Sequence, residues 1–215
     1  MVYCISDLHG DIEKFQAMLK RIHFRDEDTL YVLGDVIDRK PNGVEILKII
    51  MNAANIHMLL GNHEQMCIAT LGPLNVLGAR SLWEQNGGHS TFQELVHFCT
   101  AEEKNGIIAF LMNLPTFIEI EVEGQKFHLV HGYPGNTVND RLWGRPDFDL
   151  VAGPLEEQIV IIGHTPTNYL QETNSTHYEI WCRPGIIDID CGCGHNDPKC
   201  RLACLYLNTM DVFYI

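Results

Sequence analysis

Basic residues are scarce in this chain. Its 215 residues carry 15 Lys and Arg against 28 Asp and Glu, a formal net charge of −13. Nucleic-acid binding draws its affinity from clustered Lys and Arg, so no nucleic-acid partner is expected. No apolar run approaches the roughly 20 residues that span a bilayer, so no membrane partner is expected either. The N-terminus has neither the basic flank nor the long apolar stretch of a secretory leader, and strand-like residues begin at Val2. Internal repeats, low-complexity tracts and linker-like segments are also missing. One domain over residues 1–215 is therefore expected, and 46% apolar content is enough for a full core. Eight cysteines without a leader read as reduced thiols of a cytoplasmic protein rather than a disulfide framework. The acidity does not exclude an anionic substrate, because two bound divalent ions would place about four positive charges at one point.

Short apolar runs alternate with helical patterns over the first third of the chain. "VYCIS" precedes a stripe in which Ile12, Phe15, Leu19 and Ile22 recur at helical spacing. "TLYVLG" predicts a second buried strand, Pro41 opens a second helix with Val44, Leu47 and Met51 on one stripe, and "NIHMLLG" predicts a third strand. Such alternation implies right-handed crossovers and parallel pairing, a βαβαβ core. Residues 78–114 read as mainly helical. "TFIEIEV" and "QKFHLVH" then predict a hairpin about Glu123-Gly124, followed by strands in "QIVIIGH", "GIIDID", "RLACLYL" and "DVFYI". The expected fold is α/β, with two sheets forming a sandwich flanked by helices.

The polar residues of interest stand at strand ends. Asp7 and His9 follow the first strand, Asp35 the second, and Asn62 and His63 the third, while His131 and His164 end two later strands. Ligand sites in open α/β sheets form outside the carboxyl ends of strands, so these clusters are placed to converge. Asp oxygen, His nitrogen and an Asn carbonyl suit Mn, Fe, Zn or Mg better than thiolate-preferring ions. A metal pair ~3.5–4 Å apart can grip a phosphoryl oxygen and needs a bridging carboxylate, which an Asp directly after a buried strand would provide. Taken singly, each Asp is explained equally well as a helix cap or turn residue.

"SDLHGD", "GDVIDRK", "GNHE", "HG" at 131–132 and "GHTP", in that order, resemble the phosphoprotein phosphatase branch of the calcineurin-like metallophosphoesterases. "WEQNGG" at 83–88 and "LWGR" at 142–145 are similar to its bacterial and phage members. The resemblance implies that Asp7 and His9 ligate one metal, that Asp35 bridges, and that Asn62, His131 and His164 hold the second. It implies that His63 is the general acid, oriented by Asp38. Arg39 and Arg145, with Asn62, would bind phosphate oxygens, a task that suits the planar fork of guanidinium. The implied activity is a serine/threonine protein phosphatase in which a dinuclear-metal hydroxide attacks phosphorus directly, with two Mn2+ ions favoured over Fe, Zn or Mg. Phosphorylated protein or peptide is the implied substrate. The alternatives are a phosphorylated small molecule, as for a symmetrical dinucleoside tetraphosphate hydrolase, and an inactive scaffold of the same fold.

Several residues depart from the resembled pattern or fall outside it. Ser6 replaces a usual glycine and is expected to leave the metal contacts untouched. Lys40 stands where glycine is common and is placed at the rim. Asp11 directly precedes the Ile12–Ile22 stripe and is expected to cap that helix rather than join the site. Arg145 has a competing reading as an ion-pair partner of Asp147 or Asp149. His23, His57, His89, His97, His128, His177 and His195 are expected to be structural or surface residues, with His128 pointing away from His131 by strand parity. Trp83 is expected in the core. Cys191, Cys193, Cys200 and Cys204 do not follow a usual zinc spacing and are expected to be free thiols.

Overall fold

A computed structural model describes residues 1–147, 149–171 and 176–215. Two five-stranded sheets carry the fold. The first contains β1 (Val2–Ile5), β2 (Thr29–Val32), β3 (Ile56–Met58), β9 (Ala203–Tyr206) and β10 (Asp211–Tyr214), in the order β10-β9-β1-β2-β3. The second contains β4 (Phe117–Val122), β5 (Gln125–Val130), β6 (Ile159–Ile162), β7 (Trp181–Arg183) and β8 (Ile186–Asp188), in the order β4-β5-β6-β8-β7. β1, β2 and β3 are mutually parallel, with Ile5 opposite Val32 and Val32 opposite Met58. The crossovers between them are α1 (Ile12–Arg21) and α2 (Gly43–Asn52), which realises the expected βαβαβ unit. In the second sheet β5, β6 and β8 are parallel.

Each inner strand is apolar on both faces because each face packs on something different. Tyr3 and Ile5 of β1 join Phe15 and Met18 of α1 and Ile46 and Leu47 of α2 in a core under the helices. Cys4, between them in sequence, joins Leu33 and Leu59 with Leu129 and Ile161 of the second sheet, in the core between the sheets. The period of two along β1 thus divides its residues between two cores.

After α3 (Asn62–Leu71), the helical region beyond residue 78 comprises α4 (Ala79–Gln85), α5 (His89–Gln93), a π-helical turn Glu94–Phe98 and α6 (Ala101–Met112). A short helix α7 (Val138–Trp143), strand β7 and a 3-10 turn Thr167–Tyr169, none marked by a clear sequence period, complete the described elements. Two expectations are corrected. α2 begins at Gly43, not Pro41, because Asn42 stands at φ 76°, a left-handed conformation that no α-helix contains. Its buried stripe is Val44, Leu47 and Ile50, while Met51 is 37% exposed.

Candidate metal centre

The carboxyl ends of five strands deliver side chains to one buried place. Asp7 and His9 follow β1, Asp35 follows β2, Asn62 and His63 start α3 after β3, His131 follows β5, and His164 follows β6. All seven are at most 8% exposed. The turns that carry them are backbone-strained. Asp7, His9, Asp35, Asp38, Arg39 and His164 have φ between 46° and 76°, half of the twelve non-glycine residues with positive φ among those described. Each such residue costs about 1–3 kcal/mol, and that strain persists only where surrounding contacts enforce it.

Asp35 is the centre. Its Oδ2 lies 3.7 Å from His9 Nε2 and 3.8 Å from His63 Nε2, and its Oδ1 lies 3.4 Å from His131 Nε2. Two groups of ligand-capable atoms result, His9–Asp35–His63 and Asp35–His131–His164, each with its atoms within 4.8 Å of one another and both containing Asp35. Asp7 adjoins the first group, Oδ1 being 3.8 Å from His9 Nε2. Asn62 Oδ1 adjoins the second, 2.9 Å from His131 Nε2. All six sequence-predicted ligands are therefore brought together, and His63 stands with them.

The imidazoles are oriented from behind. His9 Nδ1 donates to the Ile37 carbonyl at 3.0 Å and His131 Nδ1 to the Leu33 carbonyl at 2.7 Å, which aims both Nε2 atoms inward. His164 Nε2 is buried without a hydrogen-bond partner. An unpartnered nitrogen beside a carboxylate and other imidazoles fits a metal ligand, since a coordinating imidazole must be neutral with its lone pair free. Burial and the charge on His131 lower His164 to about 3, which keeps it neutral. Burial opposes a charge on His131 as well, but the Asp35, Asp7 and Glu64 carboxylates raise it to about 10. This donor set of carboxylates, imidazoles and one amide fits divalent metal ions of borderline hardness.

His63 differs from the other imidazoles in its support. Its Nδ1 donates to Asp38 Oδ2 at 2.7 Å, and the same oxygen accepts the indole N–H of Trp83 at 2.6 Å. Asp38 in turn donates its backbone N–H to Thr91 Oγ1 at 2.9 Å. Trp83 is fully buried, as expected of a core residue, but it also supports the site. Burial works against the His63 imidazolium, yet Asp35 and Asp38 raise its pKa above the usual value.

Other residues had no role assigned from sequence. Glu64, wholly buried, accepts the backbone N–H groups of Asp35 and Val36 at 2.9 Å, Gly61 at 3.1 Å and Ile37 at 3.3 Å, clamping the β2 and β3 loops together. Burial and the Asp35 charge push Glu64 up to about 7, against the pull of these amides. Asp188 and Asp190, at the end of β8, are buried at the site's flank, and burial raises both well above the carboxylate range. The sequence signal was "GIIDID", an apolar strand ending in acids like the other strand ends.

Ser6 corrects an expectation, because its hydroxyl donates to Asp7 Oδ2, which also accepts the His164 N–H at 3.0 Å. Asp11 caps α1 by accepting from Lys14 N at 3.1 Å and pairs with Lys40 Nζ at 2.6 Å. His128 faces away from the centre, stacked on Phe117 with centroids 5.1 Å apart. Cys191, Cys193, Cys200 and Cys204 are buried free thiols, and no cysteine among the described residues stands in a ligand-capable group. Arg39 and Arg145 are exposed: the Arg39 charge acts on His9 and His63, the Arg145 charge on His164. Among the described residues neither Asp147 nor Asp149 pairs with Arg145.

A two-sheet α/β sandwich with a carboxylate-centred double histidine cluster at its strand ends defines a metal-dependent hydrolase. A family model for calcineurin-like phosphoesterases matches residues 1–196, and the chain belongs to that family. It is 25% identical over 182 residues to serine/threonine-protein phosphatase 2 of Escherichia coli K12, covering 84% of this chain and 78% of that protein. It is 29% identical over 174 residues to a symmetrical bis(5'-nucleosyl)-tetraphosphatase of Aggregatibacter actinomycetemcomitans, covering 79% of this chain and 54% of that protein. Its fold is similar to that of a protein serine/threonine phosphatase from Saccharomyces cerevisiae (TM-score 0.61, 12% identity, 100% of this chain and 78% of the other). A metallophosphoesterase from Sphaerobacter thermophilus is likewise similar (TM-score 0.61, 19% identity, 99% and 86%).

Proposed function

We propose that the chain is one functional unit over residues 1–215, cytoplasmic, that hydrolyses phosphomonoesters, with phosphoserine and phosphothreonine as substrates. The observation that carries the reaction is the Trp83–Asp38–His63 array aimed at the Asp35 centre. Asp7, His9 and Asp35 would hold one divalent ion, and Asp35, Asn62, His131 and His164 the other. When bound, such ions supply positive charge that activates water near neutral pH and grips phosphoryl oxygens; Mn2+ is the favoured ion, with Fe, Zn and Mg as alternatives. Arg39 and Arg145, with the Asn62 amide, bind the remaining phosphate oxygens, and the planar guanidinium fork fixes the phosphoryl orientation. His63 carries a proton on Nε2 while Asp38 holds Nδ1, and it gives that proton to the departing alkoxide. A ligating imidazole would have to give up that proton, so the acid role is the better reading of His63.

The protein-phosphate reading is supported by length, since the chain spans 78% of the E. coli phosphatase. It spans 54% of the Aggregatibacter tetraphosphatase and 25% of a Delftia acidovorans one. A specific observation favours the second reading, a dinucleoside tetraphosphate hydrolase: the Delftia relative is 39% identical over a 70-residue segment. An inactive scaffold is disfavoured by the complete set of ligands and acid. Turnover of a phosphoserine peptide, diadenosine tetraphosphate and p-nitrophenyl phosphate by the Mn2+-loaded protein decides among them. Preference for the peptide is expected. A large preference for the nucleotide would replace this reading with the second, and inactivity on all three would restore the scaffold.

A further inference from the structure

His195, expected to be a structural or surface residue, is exposed, and its ring nitrogen Nε2 lies 2.7 Å from Arg39 Nη1. Arg39 needs such a partner. It is exposed, stands at φ 65° on the β2–α2 loop, and appears in no ion pair among the described residues. A free arginine side chain surrenders rotamer entropy when it is fixed on a ligand, so a neighbour that fixes it beforehand improves binding.

The segment bearing His195 is built to be rigid. Asp190, 3% exposed, accepts Gly192 N–H on its side chain at 2.9 Å and Thr167 N–H on its carbonyl at 2.9 Å. His195 N–H donates to the Gly192 carbonyl at 3.2 Å. Gly194, at φ 87°, lies so close over the His9 side chain that a Cβ there would collide with His9 Cβ. The turn therefore rests on the metal-centre residue on one side and presents an imidazole to Arg39 on the other. Burial and the Arg39 charge hold His195 below the usual imidazole value, leaving a neutral ring whose Nε2 accepts the guanidinium proton.

We propose that His195 is a positioning residue that holds the Arg39 guanidinium where it meets the substrate phosphoryl group. The inference rests on the reading of Arg39 as a phosphate ligand. His195 borders an open cavity of about 150 Å³ lined also by Tyr169, Tyr178 and Asp197, so shortening it enlarges an existing space and leaves the core packed.

The test compares His195→Ala, His195→Gln, Arg39→Ala and the double variant, all Mn2+-loaded. Readouts are binding of inorganic phosphate by calorimetry and KM and kcat for p-nitrophenyl phosphate. His195→Ala is expected to weaken phosphate binding and raise KM about five- to tenfold, with kcat within about twofold, because a charge-assisted contact is lost from binding alone. His195→Gln, whose Oε1 can accept from the guanidinium, should restore most of the affinity. In the Arg39→Ala background His195→Ala should have no further effect, the coupling signature of a shared contact. Unchanged phosphate affinity in His195→Ala, or a full additive loss without Arg39, would overturn the assignment. A wild-type protein that binds phosphate but hydrolyses no phosphomonoester would instead overturn the proposed function, and the binding arm would still judge His195.

Discussion

The residue with the most separable duties is His63. Its Nε2 lies among the ligand-capable atoms, while its Nδ1 is held by Asp38. If it is the general acid, His63→Asn lowers kcat by about 10²–10⁴ and leaves metal content near the wild-type level. Loss of a metal in that variant would make it a ligand instead. Trp83 offers a subtler probe, since Trp83→Phe keeps an aromatic ring in the core but removes the N–H donated to Asp38. A freer Asp38 orients His63 less well, and a fall in kcat of about 10-fold or more is expected, as for other residues that orient a site from behind. An unchanged kcat would show that Trp83 serves packing alone.

At the scale of elements, the site depends on how the strand-end loops are tied together. Glu64, in the first turn of α3, accepts four backbone N–H groups from the β2 and β3 loops. Glu64→Ala strands these buried donors and should lower unfolding free energy by at least about 3 kcal/mol, measurable by urea denaturation, with metal affinity falling alongside. A variant as stable as wild type would show that the loops are held elsewhere. This clamp was not legible in the sequence. "GNHE" drew notice for its histidine and asparagine, but three of the four amides that Glu64 holds lie 27 to 29 residues earlier, and no local pattern records that. The strands themselves were legible, because β1, β2 and β6 are apolar runs that end abruptly in Asp or His, and β5 returns from a Glu123-Gly124 turn as the hairpin partner of the alternating β4. β7 and α7, three and six residues long, carry too little period to be read. The start of α2 was misplaced because Pro41 suits a first helical position, yet the left-handed Asn42 delays the helix to Gly43. Ser6 was misread, and the contact of the surface residue His195 with Arg39 was not foreseen, for one reason: the partners Asp7 and Arg39 are reached through side-chain geometry that neither spacing nor composition encodes.

The whole molecule carries a net charge of −13, and its buried site concentrates carboxylates around one double-histidine cluster. Without metal, the charge of Asp35 is met mainly by a protonated His131, raised to about 10. The sign follows from that elevation. The pair's stability is fully present below the unfolded imidazole value of about 6.5 and is lost as pH rises through about 10. The melting temperature of metal-free protein should accordingly fall from about pH 6.5 to about pH 10, the range in which the folded His131 keeps a proton that the unfolded imidazole has given up. Metal-loaded protein should not show this loss, because the ions replace the proton as countercharge. Loading at pH 7 should also release at least about one proton, read as a dependence of binding enthalpy on buffer ionisation heat. A buffer-independent enthalpy would contradict a protonated His131. Asp35 is proposed to be shared by a pair of divalent ions, and elemental analysis of purified, Mn2+-equilibrated wild type and Asp35→Asn measures that sharing. About two metal equivalents are expected in the wild type and strong loss of both in the variant, whereas a variant retaining two metals would refute the shared carboxylate.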